Sequence, residues 1–375
     1  MKRIAIYYPY FLGGGAEAVV LWILEALKTK YDLTLFTFTP PNFHLLNTMY
    51  RTNLSNQLIK IHPIFPPNLS NIGTWLIANN QDIRKIIIHL ILRKFKAKSQ
   101  EYDLVLSAYN AADLGKKGIQ YIHWVKVIEG GKQIYNQISN FSPEKLKENI
   151  SLTNSSIVAE TIKKTYGIKA AVIYPPVVIN LEETSWENKE NAFICSGRLV
   201  QAKQPHKVIN ILKAVREKDL DIKLYLTGGG GGVAQWKYKN FLKKIVAENS
   251  NWVKMYENLS SEEYAQILKQ CKYGIHYKKE PFGIVIAEML KAGAIPFVRS
   301  EGGQVEIVGK ENQELLFDQD EEAVEKIVII LQDRNKQKKL LNSLKQKQAM
   351  FSTEKFMKEI NQVVENYLNQ NPPLP

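Results

Sequence analysis

The chain has few cysteines and no long hydrophobic run, and each of these features excludes a class of protein. Its 375 residues include two cysteines, Cys195 and Cys271, which lack the C-x-x-C spacing of zinc and redox sites. Neither a disulfide framework nor a zinc site is predicted, and a reducing cytoplasm is the expected compartment. No apolar run approaches the ~20 residues that a membrane-spanning helix needs. Residues 1–12 lack a small-residue cleavage site, so we predict a first strand there and not a signal peptide.

The formal net charge of +13 indicates an anionic ligand or surface. Basic residues are not interleaved with aromatic residues that could stack on bases, so no nucleic-acid partner is predicted. Much of the excess charge lies in residues 82–98, where lysines and arginines flank the apolar run from Ile86 to Leu92. Such a segment can lie on an anionic membrane surface. A buried helix with solvated lysines at its ends is the alternative.

Length and the order of predicted elements indicate two α/β domains. A chain of 375 residues is too long for one ordinary core and suits two domains of about 150–200 residues each. Short apolar strands alternate with helices on both sides of a break at Pro175 and Pro176, after which the chain is acidic and polar. Repeated β-α units form parallel sheets with helices on both faces. We therefore predict two doubly wound, Rossmann-like domains, residues 1–178 and 183–350, that face each other across a cleft.

The most informative segment is residues 280–288, Glu-Pro-Phe-Gly-Ile-Val-Ile-Ala-Glu. A Pro-Phe-Gly turn precedes an apolar helix, and the first N–H groups of a helix have no acceptor within it, so its N-terminus can bind an anion. Glu280 precedes these groups, and Glu288 lies about one turn beyond them. The segment can therefore hold a phosphate with one carboxylate facing a sugar and the other facing a ribose. A capping carboxylate and a solvated one are the simpler alternative, although the apolar neighbours of Glu288 leave it little polar surface.

A glycine-rich turn, residues 13–15, follows the first predicted strand. With Ala18 it matches the G-x-G-x-x-A pattern of dinucleotide-binding turns, which makes an NAD-linked oxidoreductase an alternative function. That function needs an acidic residue about 20 positions further on, but the second predicted strand ends in Thr-Pro-Pro at residues 39–41. The other interpretation is that the backbone of Gly14 and Gly15 approaches a sugar phosphate closely.

Two cations follow the first predicted strand of the second domain. Arg198 comes directly after a glycine that ends the strand, and Lys203 lies five positions further along the same loop. The guanidinium fork and the ammonium point charge can converge on one diphosphate. Two solvated cations are the alternative.

Asp318 and Asp320 form an Asp-x-Asp pair of the kind that binds a metal–nucleotide complex. Acidic residues follow directly and begin a predicted helix, so we interpret the pair as ordinary capping and helix-dipole chemistry. Arg198, Lys203 and a helix dipole can neutralise a leaving phosphate. No metal and no other cofactor is therefore predicted.

These segments together resemble the retaining, nucleotide-sugar-dependent glycosyltransferases of the GT-B fold, specifically family 4 (group 1). Residues 280–288 resemble the Glu-x7-Glu signature of that family, and residues 197–203 resemble its G-R-x4-K diphosphate clamp. The glycine turn at residues 13–15 resembles its N-terminal loop. The resemblance covers most of the chain, and it implies that residues from about 353 to 370 form a helix that packs back on the first domain.

The resemblance implies transfer of a hexose from a UDP- or GDP-sugar to a glycan or lipid-linked acceptor, in the assembly of polysaccharide or cell-envelope glycans. The second domain would hold the donor and the first the acceptor. The implied catalytic residues are Glu280, Arg198, Lys203 and His123, which follows a predicted strand. The residues implied to contact the donor, in addition to Arg198 and Lys203, are Gly14, Gly15, Glu257, Asn258, Phe282, Gly283, Ile284, Val285 and Glu288.

Several features of this expected function stay open at the level of sequence. Glu257 replaces a small residue that is common in the family where the base is held, so the base is not determined. The hexose, the acceptor and the linkage are not determined either. A non-catalytic protein that binds nucleotide sugars or a membrane surface is a further alternative. The expected location is the cytoplasm, either in solution or on the inner face of the membrane.

Overall fold

The computed structural model describes residues 1–125, 133–179, 184–229 and 235–371, and within them the chain forms two compact units. The first unit is Met1–Pro176 together with the segment that starts at Ser352, and the second is Val177–Phe351. The acidic, polar segment after Pro176 lies partly outside the described residues, because residues 180–183 are not among them.

The first unit is built on a seven-stranded sheet whose strands all pair in parallel. The strands are β1 (Arg3–Tyr7), β2 (Asp32–Thr37), β3 (Ile59–Pro63), β4 (Leu104–Ser107), β5 (Ile119–Ile122), β6 (Ile150–Thr153) and β7 (Ala170–Val172). The helices of this part of the chain are α1 (Gly15–Leu27), α2 (Phe43–Tyr50), α3 (Ser70–Asn79), α4 (Gln81–Lys98), α5 (Gln133–Ser139), α6 (Pro143–Glu148) and α7 (Ser156–Tyr166). The central strands are buried along almost their whole length, as expected for a parallel sheet covered by helices on both faces.

The second unit contains a six-stranded parallel sheet. Its strands are β8 (Glu190–Ser196), β9 (Lys223–Gly228), β10 (Val253–Glu257), β11 (Cys271–His276), β12 (Ile295–Arg299) and β13 (Leu316–Phe317). Its helices in the described residues are α8 (Pro205–Arg216), α9 (Trp236–Glu248), α10 (Ser261–Gln270), α11 (Ile284–Lys291), α12 (Gln304–Val308), α13 (Asp320–Gln332) and α14 (Arg334–Lys347).

The last helix, α15 (Thr353–Gln370), packs on the first unit. The Asn361 amide donates a hydrogen bond to the Ala26 carbonyl of α1 at 3.1 Å, and the Tyr367 hydroxyl donates to the Lys117 carbonyl at 2.7 Å. The Phe356 side chain is buried on the same face of α15.

Strand order identifies the place in each sheet where a ligand can bind. The orders are β3-β2-β1-β4-β5-β6-β7 and β10-β9-β8-β11-β12-β13, so the direction of winding reverses once in each sheet. The loops that leave the carboxyl ends of the two strands at a reversal go to opposite faces and open a crevice. The reversals lie between β1 and β4 and between β8 and β11. The predicted fold class, two doubly wound Rossmann-like domains, is confirmed.

Residues 82–98, the segment considered for a membrane surface, form most of α4. Its apolar face packs into the core of the first unit through Ile87 and Phe95, as a buried helix would. Ile86 and Leu90 remain 38% and 40% exposed on the opposite face. None of the helices in the described residues is long and apolar enough to cross a bilayer.

Candidate active site

The reversal between β8 and β11 brings two of the predicted catalytic residues into contact. Lys203 follows β8 and Glu280 follows β11, and these strands are hydrogen-bonded neighbours. The Lys203 ammonium forms an ion pair with Glu280 Oε1, although the two residues are 77 positions apart in the chain. The site predicted from two separate motifs is thus one cluster in the second unit.

A residue that sequence reasoning missed also contacts Glu280. His276 is the last residue of β11, and its Nε2 lies 3.0 Å from Glu280 Oε1. Burial alone would raise the pKa of the Glu280 carboxyl. The hydrogen bond and charge of His276, together with those of Lys203, outweigh this effect and hold the pKa at about 2. Glu280 is therefore ionised at neutral pH.

The backbone of Glu280 is fixed by the loop after β12. The Glu280 N–H donates to Gln304 Oε1 at 2.8 Å, and its carbonyl accepts from the Gly303 N–H at 2.8 Å. Gly302 has φ +103°, a left-handed conformation that favours glycine. A Cβ on Gly303 would lie 2.2 Å from the Pro281 carbonyl oxygen, so the two loops approach more closely than any side chain would allow.

Arg198 does not share the contact between Lys203 and Glu280. Its side chain is exposed, and it has no hydrogen bond or ion pair within the described part of the chain. The preceding Gly197 has φ +133° with open space where a Cβ would be, and a Cβ on Gly228 would lie 1.9 Å from the Gly197 carbonyl oxygen. These glycines keep the carboxyl ends of β8 and β9 close together beside a free guanidinium. The chain has glycine at residues 228–232, and residues 230–232 of this run lie outside the described residues.

Helix α11 begins where the predicted anion site requires. Gly283 is its N-cap residue, with φ +104°, and the N–H groups of Ile284 and Val285 have no acceptor in the described residues. The side chain of Phe282 is buried, and its ring lies edge-on to the Phe351 ring at 5.7 Å. The apolar ring therefore anchors the turn, and the helix N-terminus keeps its free donors.

Glu288 lies in the middle of α11 and has a different environment from Glu280. Its Oε2 accepts a hydrogen bond from the Tyr264 hydroxyl at 2.8 Å, a contact that the sequence did not indicate. Burial raises the pKa of Glu288 to about 7, although the Tyr264 hydrogen bond and the charge of Lys291 act in the opposite direction. The carboxyl predicted to face a ribose is thus close to half protonated at neutral pH.

Two predicted donor contacts lie at the end of β10, the edge strand beside β9. Glu257 is its last residue and Asn258 follows it. The Glu257 carboxylate forms ion pairs with Lys239 and, at 3.3 Å, with Lys243, both on α9. Asn258 has φ +56°, and its N–H donates to the Gly228 carbonyl at 2.9 Å. The carboxylate is therefore already paired, and the backbone of Asn258 is tied to the end of β9.

In the first unit, the predicted glycine turn connects β1 to α1. Gly13 and Gly14 have φ +85° and +136°, and nothing lies within 4 Å of a Cβ built on either. Gly15 is the first residue of α1. The Glu17 carboxylate accepts from the Gly13 N–H and from the Tyr50 hydroxyl, which lies 3.2 Å from Glu17 Oε2. Hydrogen bonds with Glu17 and Tyr50 therefore hold the turn, and the space where Cβ atoms of Gly13 and Gly14 would lie is open.

His123 follows β5, as predicted, at the carboxyl edge of the first sheet. Its Nε2 lies 2.9 Å from the Ala108 carbonyl oxygen, so Nε2 carries the proton. The N–H groups of His123 and Trp124 both donate to Asn110 Oδ1, at 2.7 and 2.9 Å. Burial lowers the pKa of His123 to about 4, with the Ala108 hydrogen bond opposing the shift, and the imidazole is neutral at pH 7.

The interpretation of Asp318 and Asp320 as capping residues is correct only for the helix dipole, because neither residue is the N-cap residue of α13. The N-cap residue of α13 is Gln319, whereas Asp318 accepts a hydrogen bond from the Ser300 hydroxyl. Asp320 begins the helix and accepts from the Tyr277 hydroxyl at 2.7 Å and from the Lys207 ammonium at 2.9 Å. Acids do occupy the first turn, which favours the helix dipole. Among the described residues, no three His, Cys, Asp or Glu side chains are grouped to hold a metal ion.

Comparison with known sequences gives a family match and one related protein. Residues 179–347 match the model of the family described as glycosyl transferases group 1. The chain is 25% identical over 257 residues to the GDP-Man:Man(3)GlcNAc(2)-PP-Dol alpha-1,2-mannosyltransferase of Dictyostelium discoideum. This alignment covers 64% of the chain and 50% of that protein, so the chain spans about half the length of this relative.

Comparison with solved structures extends over nearly the whole chain. HepE from Anabaena, in complex with UDP and glucose, has a TM-score of 0.71 at 18% identity, with 98% of this chain and 100% of that chain covered. Sucrose-phosphate synthase from Thermosynechococcus elongatus has a TM-score of 0.68 at 15% identity, with 99% and 100% covered. At these identities the similarity establishes the fold.

Proposed function

Since residues 179–347 match the family model of the group 1 glycosyl transferases and the chain has the GT-B fold, we propose that the protein transfers a hexose from a nucleotide-diphosphate sugar to an acceptor saccharide. The observation that carries this proposal is the cluster of Lys203, Glu280 and His276 where the second sheet reverses. It places an ionised carboxylate and a cation at the position where α/β sheets bind their ligands.

The donor diphosphate would bind between Arg198, Lys203 and the first turn of α11. The Lys203 ammonium has three N–H donors and uses one on Glu280, so others remain for phosphate oxygens. The free N–H groups of Ile284 and Val285 supply further donors. Negative charge grows on the diphosphate as the glycosidic bond breaks, and fixed donors aimed at it lower the barrier.

The two glutamates would bind the sugars of the donor. Glu280 would accept hydrogen bonds from hydroxyls of the transferred hexose, and Glu288 from the ribose. The neutral imidazole of His123, with Nδ1 as an acceptor, would act near the anomeric carbon. The match to the group 1 family model supports retention of the anomeric configuration in this transfer.

The donor would be a UDP- or GDP-hexose, and the acceptor a glycan or lipid-linked saccharide of polysaccharide or envelope assembly. The Dictyostelium relative is named for a GDP-mannose donor and a PP-Dol acceptor, whereas HepE was solved with UDP and glucose. These names support a nucleotide-sugar donor for this chain and leave the base open.

A lipid-linked acceptor would bring the protein to an anionic membrane surface, and α3 and α4 of the first unit are the elements that we propose for this contact. Ile72 and Trp75 of α3 are 57% and 64% exposed. On the exposed side of α4, Lys85 and Arg93 accompany Leu90. Exposed apolar side chains next to cations are the composition of an interfacial surface.

The function is tested by offering UDP-, GDP- and ADP-hexoses to the purified protein. A bound donor raises the unfolding midpoint, because ligand at about 100 times its Kd adds about 2.7 kcal/mol to stability. Donor that stabilises the protein should also be hydrolysed or transferred. Lys338 is an exposed cation on α14, and Lys338→Ala is the control for Arg198→Ala. The control should leave the unfolding midpoint with donor and the rate of donor turnover unchanged. If no sugar nucleotide stabilises the protein or is turned over, the proposed function is wrong.

A further inference from the structure

We infer, on the basis of the proposed function, that His276 is a positioning residue that locks one oxygen of Glu280 and leaves the other to select a hydroxyl of the donor sugar. None of the sequence motifs includes His276, and its role follows from the contacts around Glu280.

His276 is a buried side chain with a single polar contact. It is 3% exposed at the end of β11, and its Nε2 lies 3.0 Å from Glu280 Oε1. Its Nδ1 is buried without a hydrogen-bond partner in the described part of the chain. An unpaired buried nitrogen costs free energy that an apolar residue at this position would not. The imidazole therefore contributes chiefly its contact with the carboxylate.

The two oxygens of Glu280 have different surroundings. Oε1 accepts from both Lys203 and His276, which occupy its two lone pairs. Oε2 has no partner among the described residues, and the side chain is 13% exposed. The backbone is held by Gln304 and Gly303 on either side of the peptide. Glu280 is thus held by two contacts on one carboxylate oxygen and two on its backbone, and the other carboxylate oxygen is available as an acceptor.

This arrangement selects the chemistry of the ligand at that point. An ionised carboxylate oxygen only accepts hydrogen bonds, so its partner must be a free hydroxyl of the hexose. A donor that lacks this hydroxyl would leave Oε2 desolvated and unpaired in the bound complex. Without His276, the carboxylate could rotate about its last torsion and lose its alignment with the sugar.

The test compares His276→Met with His276→Gln. Both replacements are unbranched and similar in size, but only glutamine places an N–H donor near the former position of Nε2. Removal of a hydrogen bond to a charged group should lower kcat by roughly 10–150-fold in the methionine variant. The glutamine variant should stay within about threefold of the parent.

A second readout separates positioning from general damage to the fold. The inhibition constant of the nucleoside diphosphate product, which carries no hexose, should be the same in all three proteins. A methionine variant with the parent kcat, or one that loses product and donor binding equally, would overturn the inference.

Monodeoxy analogues of the donor decide the question without any variant, should the methionine protein fail to fold. In the parent, one analogue should react at least about tenfold more slowly than the full hexose, because it lacks the hydroxyl that meets Oε2. Equal rates for every analogue would refute the role of Glu280 Oε2 while leaving the glycosyltransferase activity established. A parent protein that turns over no donor would instead refute the proposed function.

Discussion

At the residue scale, the two glutamates of the Glu-x7-Glu segment have opposite electrostatic environments. The cation and imidazole beside Glu280 outweigh its burial and lower its pKa to about 2. Glu288 has a neutral tyrosine hydroxyl as its hydrogen-bond partner, and its burial raises its pKa to about 7. Neighbouring carboxyls with pKa values far apart can take different roles in one reaction. Glu280 is a permanent acceptor at neutral pH, whereas Glu288 changes its protonation near pH 7.

The raised pKa of Glu288 predicts how stability depends on pH. Between the unfolded value of 4.5 and the folded value of about 7, the folded protein holds the proton more tightly. The contribution of this group to the free energy of unfolding is therefore present below about pH 4.5 and is lost as pH rises to about 7. Glu288→Gln removes the titration and keeps an acceptor for Tyr264. In urea unfolding at pH 5 and at pH 8, the free energy of unfolding of the variant should rise relative to that of the parent as pH rises. A constant difference would contradict the raised pKa.

The free guanidinium of Arg198 and the paired ammonium of Lys203 give a kinetic prediction. Arg198→Ala and Lys203→Ala should each lower kcat for donor turnover by roughly 10–150-fold, because each removes a charged hydrogen bond to the leaving diphosphate. Steady-state kinetics with a saturating donor measure this effect.

The double variant tests whether the two cations act on one group. Its loss should be smaller than the product of the two single losses if both contact the same diphosphate. Lys338→Ala is again the control. Parent rates in both single variants would mean that the diphosphate binds elsewhere.

At the scale of elements, the loops after the strands place the site, and their glycines allow them to touch. Gly303 approaches the Pro281 carbonyl, and Gly228 approaches the Gly197 carbonyl, each at a distance that a Cβ would prevent. The sequence indicated that Lys203 follows a strand and that Glu280 precedes a helix. It did not indicate that the loop after β12 supports Glu280, because the contact depends on how two loops far apart in sequence pack together.

Helices α3 and α4 give a prediction for the membrane surface. The protein should bind vesicles of anionic lipid, and binding should weaken as salt shortens the Debye length below ~8 Å. Lys85→Glu combined with Arg93→Glu should lower the binding at least about tenfold, since each basic residue near the surface contributes about 1 kcal/mol. Co-sedimentation with anionic and with neutral vesicles measures this.

The apolar part of the same surface has its own matched control. Trp75→Ser should weaken vesicle binding. Trp236 is an equally exposed tryptophan in the second unit, and Trp236→Ser should leave vesicle binding unchanged. If the protein binds no vesicles, or binds neutral and anionic vesicles equally, the membrane proposal is wrong and α4 contributes only to the hydrophobic core.

At the scale of the whole molecule, the charges of the donor site predict turnover without an added metal ion. The Asp318 and Asp320 carboxylates are occupied by Ser300, Tyr277 and Lys207. Excess EDTA should therefore leave donor turnover within about twofold of its untreated rate. Asp320→Asn should also stay active, because its partners are structural. Activity that disappears with EDTA and returns with Mg²⁺ or Mn²⁺ would contradict the metal-free mechanism.

Sequence by itself was sufficient for the fold class and for the positions along the chain of most strands in the central parts of both sheets. Buried parallel strands appear as short apolar runs, and these patterns are local in the chain. The edge strand β3 was missed, because it has only two apolar residues, Ile59 and Ile61, before Pro63 ends it, and so forms no apolar run. The sequences of α2 and α3 showed no clear helical periodicity of apolar residues either, because large apolar residues lie on their exposed faces.

The sequence also determined which residues follow strands, and therefore which polar groups lie at the carboxyl edges of the sheets. Arg198, Lys203 and His123 were found in this way, because the end of a strand is a local feature, whereas Glu280 was found from the turn that precedes a helix. Only the tertiary structure decided the partners of these groups. The side chain of Lys203 contacts Glu280, 77 positions away, because β8 and β11 are neighbours. The Tyr264 hydroxyl contacts Glu288, 24 positions away, because α10 packs on β8 and α11 on the neighbouring β11. Such contacts depend on the order of strands and on helix packing, which are set by burial across the whole unit and not by any local pattern.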